Sequence, residues 1–301
     1  MSVTCQGAIP GRGKGRAFDI EECCQRIPDF VAKAPDVPAT MKRAQFEDDS
    51  LTRPAVRGCD VVANLEHFAI ITYAIPPERL RPHVHPRFDI DCITNGEGHQ
   101  RALISMVPFE DQDFHFVGCP WAQFRFGQTN YRAYVIDRET GQRAVWFFGT
   151  TLDSWTVNIP RHLWKLPWYP GRIRFDCAFD LEENRYTRYS MTTSSDWAPV
   201  EVEVKDTGKP VTQLDGFEDI ESGLFIVTHP LGGYFHSRDG HLGAYHVWHD
   251  RLCCTGARLT HARIALFERL GLATYEEQQH PHSVLLQHRT EFTIYLPPKR
   301  L

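Results

Sequence analysis

Residues 160–170 read PRHLWKLPWYP and crowd three prolines, three large aromatics and one lysine into eleven positions. Arg161 and Lys165 stand four apart, so a helix would place both on one face, able to hold an anion. Trp164 would point about 100° away. Lys165 is the only amine here. To attack a ketone at neutral pH an amine needs its pKa lowered by burial or a neighbouring cation. The plainer expectation is a lysine reaching for solvent at a helix end. Tyr169 offers a hydrogen bond or a proton, with an ordinary pKa of ~10.

Other residues raise similar questions. Asn130 and Arg132 alternate with Tyr131 on a strand and so share a face. Facing inward, they would be costly unless they met a partner or a ligand; a solvent face or a buried structural network are the alternatives. His236, His241, His246 and His249 surround one hairpin. That hairpin can bring His236 to His246, but a spacing of three on a strand sends His246 and His249 to opposite faces. Asp250 is adjacent, yet no carboxylate completes a recognisable triad, so no metal is expected. His83 and His85 read as surface-loop histidines. Asp153, Ser154 and His162 lack the Gly-x-Ser-x-Gly turn of a hydrolase nucleophile. Cys119 has no activating neighbour and reads as an inert thiol.

The elements that must position these groups are mostly strands. VVANLEHFAIITYAI, from Val61, is long, apolar and β-branched. RFDIDCI and RALISMVPF flank the turn TNGEGHQ, QFRFGQTNYRAYVI and RAVWFFGTTL flank DRETGQ, and GGYFHS and HLGAYHVWHD flank Arg238-Asp239-Gly240; each reads as a hairpin. SVLLQHRTEFTIYLP closes the chain as a late strand. Asn158 is placed to cap a short helix starting at Pro160. In ARLTHARIALFERLGL, Leu259, Leu266, Phe267 and Leu270 space as a helical stripe with Gly271 as its stop. Residues 1–57 read as an extension, with a short helix in FDIEECCQRIPDFVAK ended by Pro28 and the linker APDVPAT; residues 58–301 read as one domain. GAIPGRGKGR lacks the lysine and hydroxyl of a phosphate loop.

Composition removes several classes of function. At 42% apolar, the 301 residues can build a sizeable core. Their net charge of −5 argues against a nucleic-acid surface. No run reaches the ~18 apolar residues of a membrane helix. The nine cysteines form no regular framework, and the start of the chain carries no apolar signal core. A cytoplasmic protein with reduced thiols is the expectation.

In order, YAIPPERLRPHVHPRFDID, ALISMVPF, FGQTNYRAYV, VWFFGTTLDS and the 160–170 segment resemble the phrases of the DUF2071 family, from about residue 60 onward. That family is in turn similar to acetoacetate decarboxylase. The decarboxylase has a Gly-Arg-Glu-x-Trp-Gly-Phe-Pro-Lys-Lys segment, whose first lysine forms a Schiff base. Arg161, Trp164 and Pro167 match that segment, Lys165 replaces its second glycine, and Trp168 and Tyr169 replace both lysines. Gln128 falls where the relatives carry a pocket glutamate. The resemblance implies an α+β fold: a strongly bent antiparallel sheet forming a cone or barrel, with flanking helices. It implies a cavity lined by Gln128, Asn130, Trp146, Phe148, Trp164 and Trp168, with His246 and Trp248 near a histidine–tryptophan pair of the family. The expected partner is a small organic carbonyl or carboxylate, with no cofactor, no nucleic acid and no membrane; a homo-oligomer is left open. Two functions follow. One is an enzyme (a lyase, isomerase or cyclase without an imine) using Arg132, Arg161, Lys165 and Tyr169. The other is a non-catalytic binding protein.

Overall fold

The computed structural model describes residues 45–46 and 51–301. Most of the expected N-terminal extension, with its helix, lies outside the described residues. Fourteen strands follow: β1 (Val61–Ile75), β2 (Phe88–Ile90), β3 (Cys92–Thr94), β4 (Gln100–Phe116), β5 (Phe124–Asp137), β6 (Arg143–Leu152), β7 (Trp168–Pro170), β8 (Arg172–Asp180), β9 (Arg185–Ser194), β10 (Val200–Pro210), β11 (Gly232–His236), β12 (Leu242–His249), β13 (Thr255–Ile264) and β14 (Ser283–Arg300). The helices are short: α1 (Pro77–Leu80), α2 (Asn158–Leu163), α3 (Ile220–Thr228), α4 (Ala265–Arg269) and α5 (Tyr275–Gln278).

Seven strands close a barrel in the order β1-β4-β5-β6-β11-β12-β14, sealed by the antiparallel pairing of β1 with β14. The only parallel pairings in the described sheet are β6 with β11 and β6 with β7. From β14 the sheet continues as β13-β10-β9-β8 and folds over the outside of the barrel. Two cores result. Inside the barrel lie Leu65, Ile70, Leu103, Val107, Phe147, Phe235 and Leu285, with Val227 of α3 reaching in. Between barrel and outer sheet lie Ile71, Ile104, Tyr131, Trp146, Met191, Val202 and Ile264.

The sequence carries both patterns. β1 is buried without a break from Phe68 to Tyr73, because its inner face meets the barrel core and its outer face meets the second sheet. β10 begins VEVEV and alternates buried with exposed, since only one of its faces is covered. The three expected hairpins and the late strand form. The helix expected over ARLTHARIALFERLGL does not: β13 runs through Ile264, and only Ala265–Arg269 is helical. Pairing with β10 decides this, aligning Val200 with Ile264 and Val202 with Ala262, so burial in β13 ends on a period of two. Gly271 does supply the stop, at φ +66°. Among the described residues, no helix is long and apolar enough to cross a membrane.

Candidate functional site

Along β5, Gln128, Asn130, Arg132 and Tyr134 share the face that looks into the barrel, while Tyr131 and Ala133 belong to the outer core. The expected alternation therefore holds. Ser105 of β4 pairs in register with Arg132 on one side and with Thr72 of β1 on the other. Their side chains form a buried polar chain: Thr72 Oγ1 to Ser105 Oγ at 2.8 Å, then Ser105 Oγ to the Tyr134 hydroxyl at 2.8 Å. The Tyr134 hydroxyl donates to the Val227 carbonyl at 3.0 Å, so the Ser105 hydroxyl donates to Tyr134. Arg132 donates one terminal nitrogen to that same carbonyl at 3.0 Å. A carbonyl in the last turn of α3 lacks an intrahelical donor and sits at the negative end of the helix dipole, so it suits a cation.

One carbonyl does not neutralise a guanidinium. Arg132 is 8% exposed, and among the described residues no carboxylate pairs with it. Its Nε is buried without a hydrogen-bond partner. Isolated buried charge is costly unless it is paired. His249 is buried in the same interior, its ring stacked on Phe292 at 4.4 Å and edge-on to His229 at 4.7 Å. Burial pulls its pKa down to about 3, with His229 and Arg132 adding to the effect, so its imidazole is neutral at ordinary pH. Asp111 also points inward from β4; its Oδ2 has no partner, and burial holds its carboxyl well above the usual range.

The sequence-derived residues divide among three places. Gln128, Asn130, Arg132, Trp164 and Trp168 are on the barrel interior side, where Gln128 donates to Asn130 Oδ1 at 3.0 Å and Thr150 donates to the same oxygen at 2.8 Å. Tyr169 is not there. Successive residues of a strand point to opposite faces, so with Trp168 inward Tyr169 lies outside, stacked on Trp197 at 4.0 Å and 9°. Gly149 makes room for that stack: a Cβ on it would come within 2.6 Å of the Trp197 ring. Arg161 donates to the Trp168 carbonyl at 3.0 Å and lies 5.4 Å over the Tyr169 ring, so it fastens the segment to itself. Lys165 is exposed, in left-handed backbone at φ +53° just after α2. The 160–170 stretch is a corner whose inward tryptophans close part of the barrel.

Trp146 and Phe148 belong to the outer face of β6 and not to the interior, because the inward position on β6 is held by Phe147. His246 and Trp248 also face outward; Trp248 donates to the Leu51 carbonyl at 3.2 Å beneath Arg53. Two openings of about 580 and 390 Å³ lie outside the barrel and share His83 and His236. Trp146, Phe148, Trp197 and Arg269 line the second; His85 and Arg138 line the first. His85, Trp146 and His236 are mutual ring neighbours, with His236 edge-on to Trp146 at 4.8 Å. Sequence reading put His83 and His85 in a surface loop; only the pairing of β11 beside β6 brings His236 to them. His249 was seen only as a partner for His246, and inward alternation from Tyr245 was the signal available for it.

A model of the DUF2071 family, described as an uncharacterized conserved protein, matches residues 62–290. The chain belongs to this family. Among solved structures, this DUF2071 protein is similar to an acetoacetate decarboxylase from Legionella pneumophila, at 15% identity over 89% of this chain and 98% of that one, with a TM-score of 0.51. It is also similar to an acetoacetate decarboxylase-like enzyme from Sphingomonas wittichii, at 9% identity over 82% and 94% of the two chains, with a TM-score of 0.52. No curated protein matches it. These likenesses establish the fold expected from the family's phrases: a closed barrel of the acetoacetate decarboxylase type, extended by an outer sheet.

Proposed function

We propose that this protein binds a small organic carboxylate carrying a carbonyl group inside its barrel, and acts on it without an imine. The observation that carries this reading is Arg132: a buried guanidinium with an unpartnered Nε and, among the described residues, no carboxylate. A ligand carboxylate would supply both the missing charge and the missing acceptor, in the planar geometry that a guanidinium matches. With its carboxylate on Arg132, the ligand's carbonyl would compete with the Val227 carbonyl for the Tyr134 proton, while Arg132 keeps its own bond to Val227. A hydroxyl turned toward the ligand in this way would favour an enolate. The four described lysines (165, 205, 209 and 299) are all exposed, which leaves no buried amine among the described residues for a Schiff base.

A second reading, ligand binding without chemistry, has one observation in its favour. Tyr134 spends its proton on the Val227 carbonyl, and burial holds the His249 pKa down at about 3, so neither is well placed as an acid or base at ordinary pH.

Pyruvate in D₂O tests both. Binding is read by calorimetry, and enolate formation by loss of the methyl proton signal. The enzyme reading expects binding and exchange, both lost in Arg132→Met. Binding without exchange selects the second reading. Absence of binding by pyruvate and acetoacetate alike overturns the carboxylate assignment. After borohydride with acetoacetate, an unmodified mass is expected; an adduct on Lys165 would contradict the imine-free mechanism.

A further inference from the structure

We propose that Glu66, His67 and Glu110 form a binding site for a divalent first-row transition-metal cation on the outer face of the barrel, apart from Arg132 and independent of any reading of the interior. One ligand atom from each residue lies within 4.8 Å of the others. Two carboxylate oxygens and one imidazole nitrogen suit cations such as Mn²⁺ or Zn²⁺, with open positions left to water.

The backbone is arranged to bring these groups together. Leu65 and Phe68 both face the barrel interior, so two residues, Glu66 and His67, must fit between them on the other side. That is a β-bulge, marked by φ +52° at His67 and by a register shift of β1 against β4 beyond Glu66. Without the extra residue, either the histidine or the glutamate would face inward. His67 is then fixed twice by the outer sheet: Tyr186 Oη lies 3.1 Å from Nδ1, and the Tyr189 hydroxyl donates to the His67 carbonyl at 2.6 Å. Outer partners of this kind orient an imidazole for a metal.

Charge is the second line of argument. Glu66 and Glu110 are direct cross-strand partners. Like charges in that position repel and are normally selected against. Arg125 holds Glu110 by two bonds of 2.9 Å, and Arg289 stands 3.6 Å from Glu66. Both arginines are at least half exposed, at 65% and 50%, against 18% and 25% for the glutamates. The long Arg289 pair contributes little, and the two-bond Arg125 fork is the contact that a cation must displace. A divalent cation answers both carboxylates at one point, and Arg125 is free to turn to water.

The test uses the full chain after chelator treatment, with Mn²⁺ followed by electron paramagnetic resonance. Mn²⁺ suits carboxylates and avoids the chain's thiols. One Mn²⁺ per chain is expected, weakened about tenfold or more by Glu66→Gln and by Glu110→Gln. Arg125→Gln is expected to tighten binding, because it releases Glu110. That variant separates a metal site from a plain ion-pair network, in which losing Arg125 creates no affinity. Metal-free thermal melts by circular dichroism check that each variant folds, and Gln in place of either Glu removes repulsion. No uptake by the wild type, uptake indifferent to both glutamine variants, or weaker uptake by Arg125→Gln would each overturn the proposal.

Discussion

The barrel interior and the histidine groove outside it contain similar polar chemistry under opposite physical conditions. Inside, Arg132, Tyr134, Ser105 and Thr72 are shielded from water, so each polar atom needs a named partner, and Arg132 lacks one for its Nε. Outside, His236 is exposed and Arg138 pairs with Asp89 at the surface, where water can serve any atom the protein leaves unserved. The larger opening is therefore the weaker indication of a ligand. Volume marks where something can enter; an unanswered buried charge marks the kind of group that would answer it.

That contrast can be broken by four measurements. The largest effect is expected from Trp146→Ala. Trp146 is 2% exposed and packs on Phe88, so although it borders the groove it is core, and urea unfolding should lose about 3–5 kcal/mol. A loss near zero would make the groove wall as dispensable as its rim. Next, Arg132→Met should weaken carboxylate binding by about 100-fold while leaving ligand-free stability unchanged or higher, since an apolar chain of similar length replaces an unpaired charge. Strong destabilisation without ligand would mean that the guanidinium is a structural member of the interior.

The third effect depends on pH. His249 is held near pKa 3 in the folded state, against an ordinary value of 6.5 in the unfolded chain. Between those values the unfolded state binds the extra proton, so stability falls as pH falls, by about 1.4 kcal/mol per unit. Below about 3 the contribution levels off, and above 6.5 it is flat. His249→Gln should flatten the stability profile between pH 6 and pH 4 relative to wild type, as read by denaturant midpoints; an unchanged slope would remove His249 from the buried interior. The smallest effect belongs to the groove's rim: His236→Ala should stay within about 0.5 kcal/mol and leave carboxylate binding untouched.

Much of the fold was legible, because it is written in local pattern. Hairpin turns announce themselves by Gly, Asn and Asp, and β1's unbroken apolar run announces a strand covered on both faces. β13 was misread because Leu259, Leu266 and Phe267 fit a helical spacing that pairing with β10 overrides. The shared face of Asn130 and Arg132 was legible, because alternation alone decides it. The site was lost where a face had to be chosen without the partner strand. Trp146 and Phe148 were assigned inward, yet only the position of β11 and the outer sheet shows that side of β6 to be the outside. Tyr169 failed for the same reason, one residue from the correctly placed Trp168. The polar chain from Thr72 through Ser105 to Tyr134 joins three strands across the register and has no signature along any one of them.

Most direct is the nuclear magnetic resonance signal of the Arg132 Nε–H, assigned by its disappearance in Arg132→Met. Among the described residues no protein atom accepts this proton. Addition of pyruvate or acetoacetate should move it downfield in proportion to occupancy, while the methyl ester of either leaves it in place. A signal that stays fixed at saturating carboxylate, or that follows the ester equally well, would contradict a carboxylate site at Arg132.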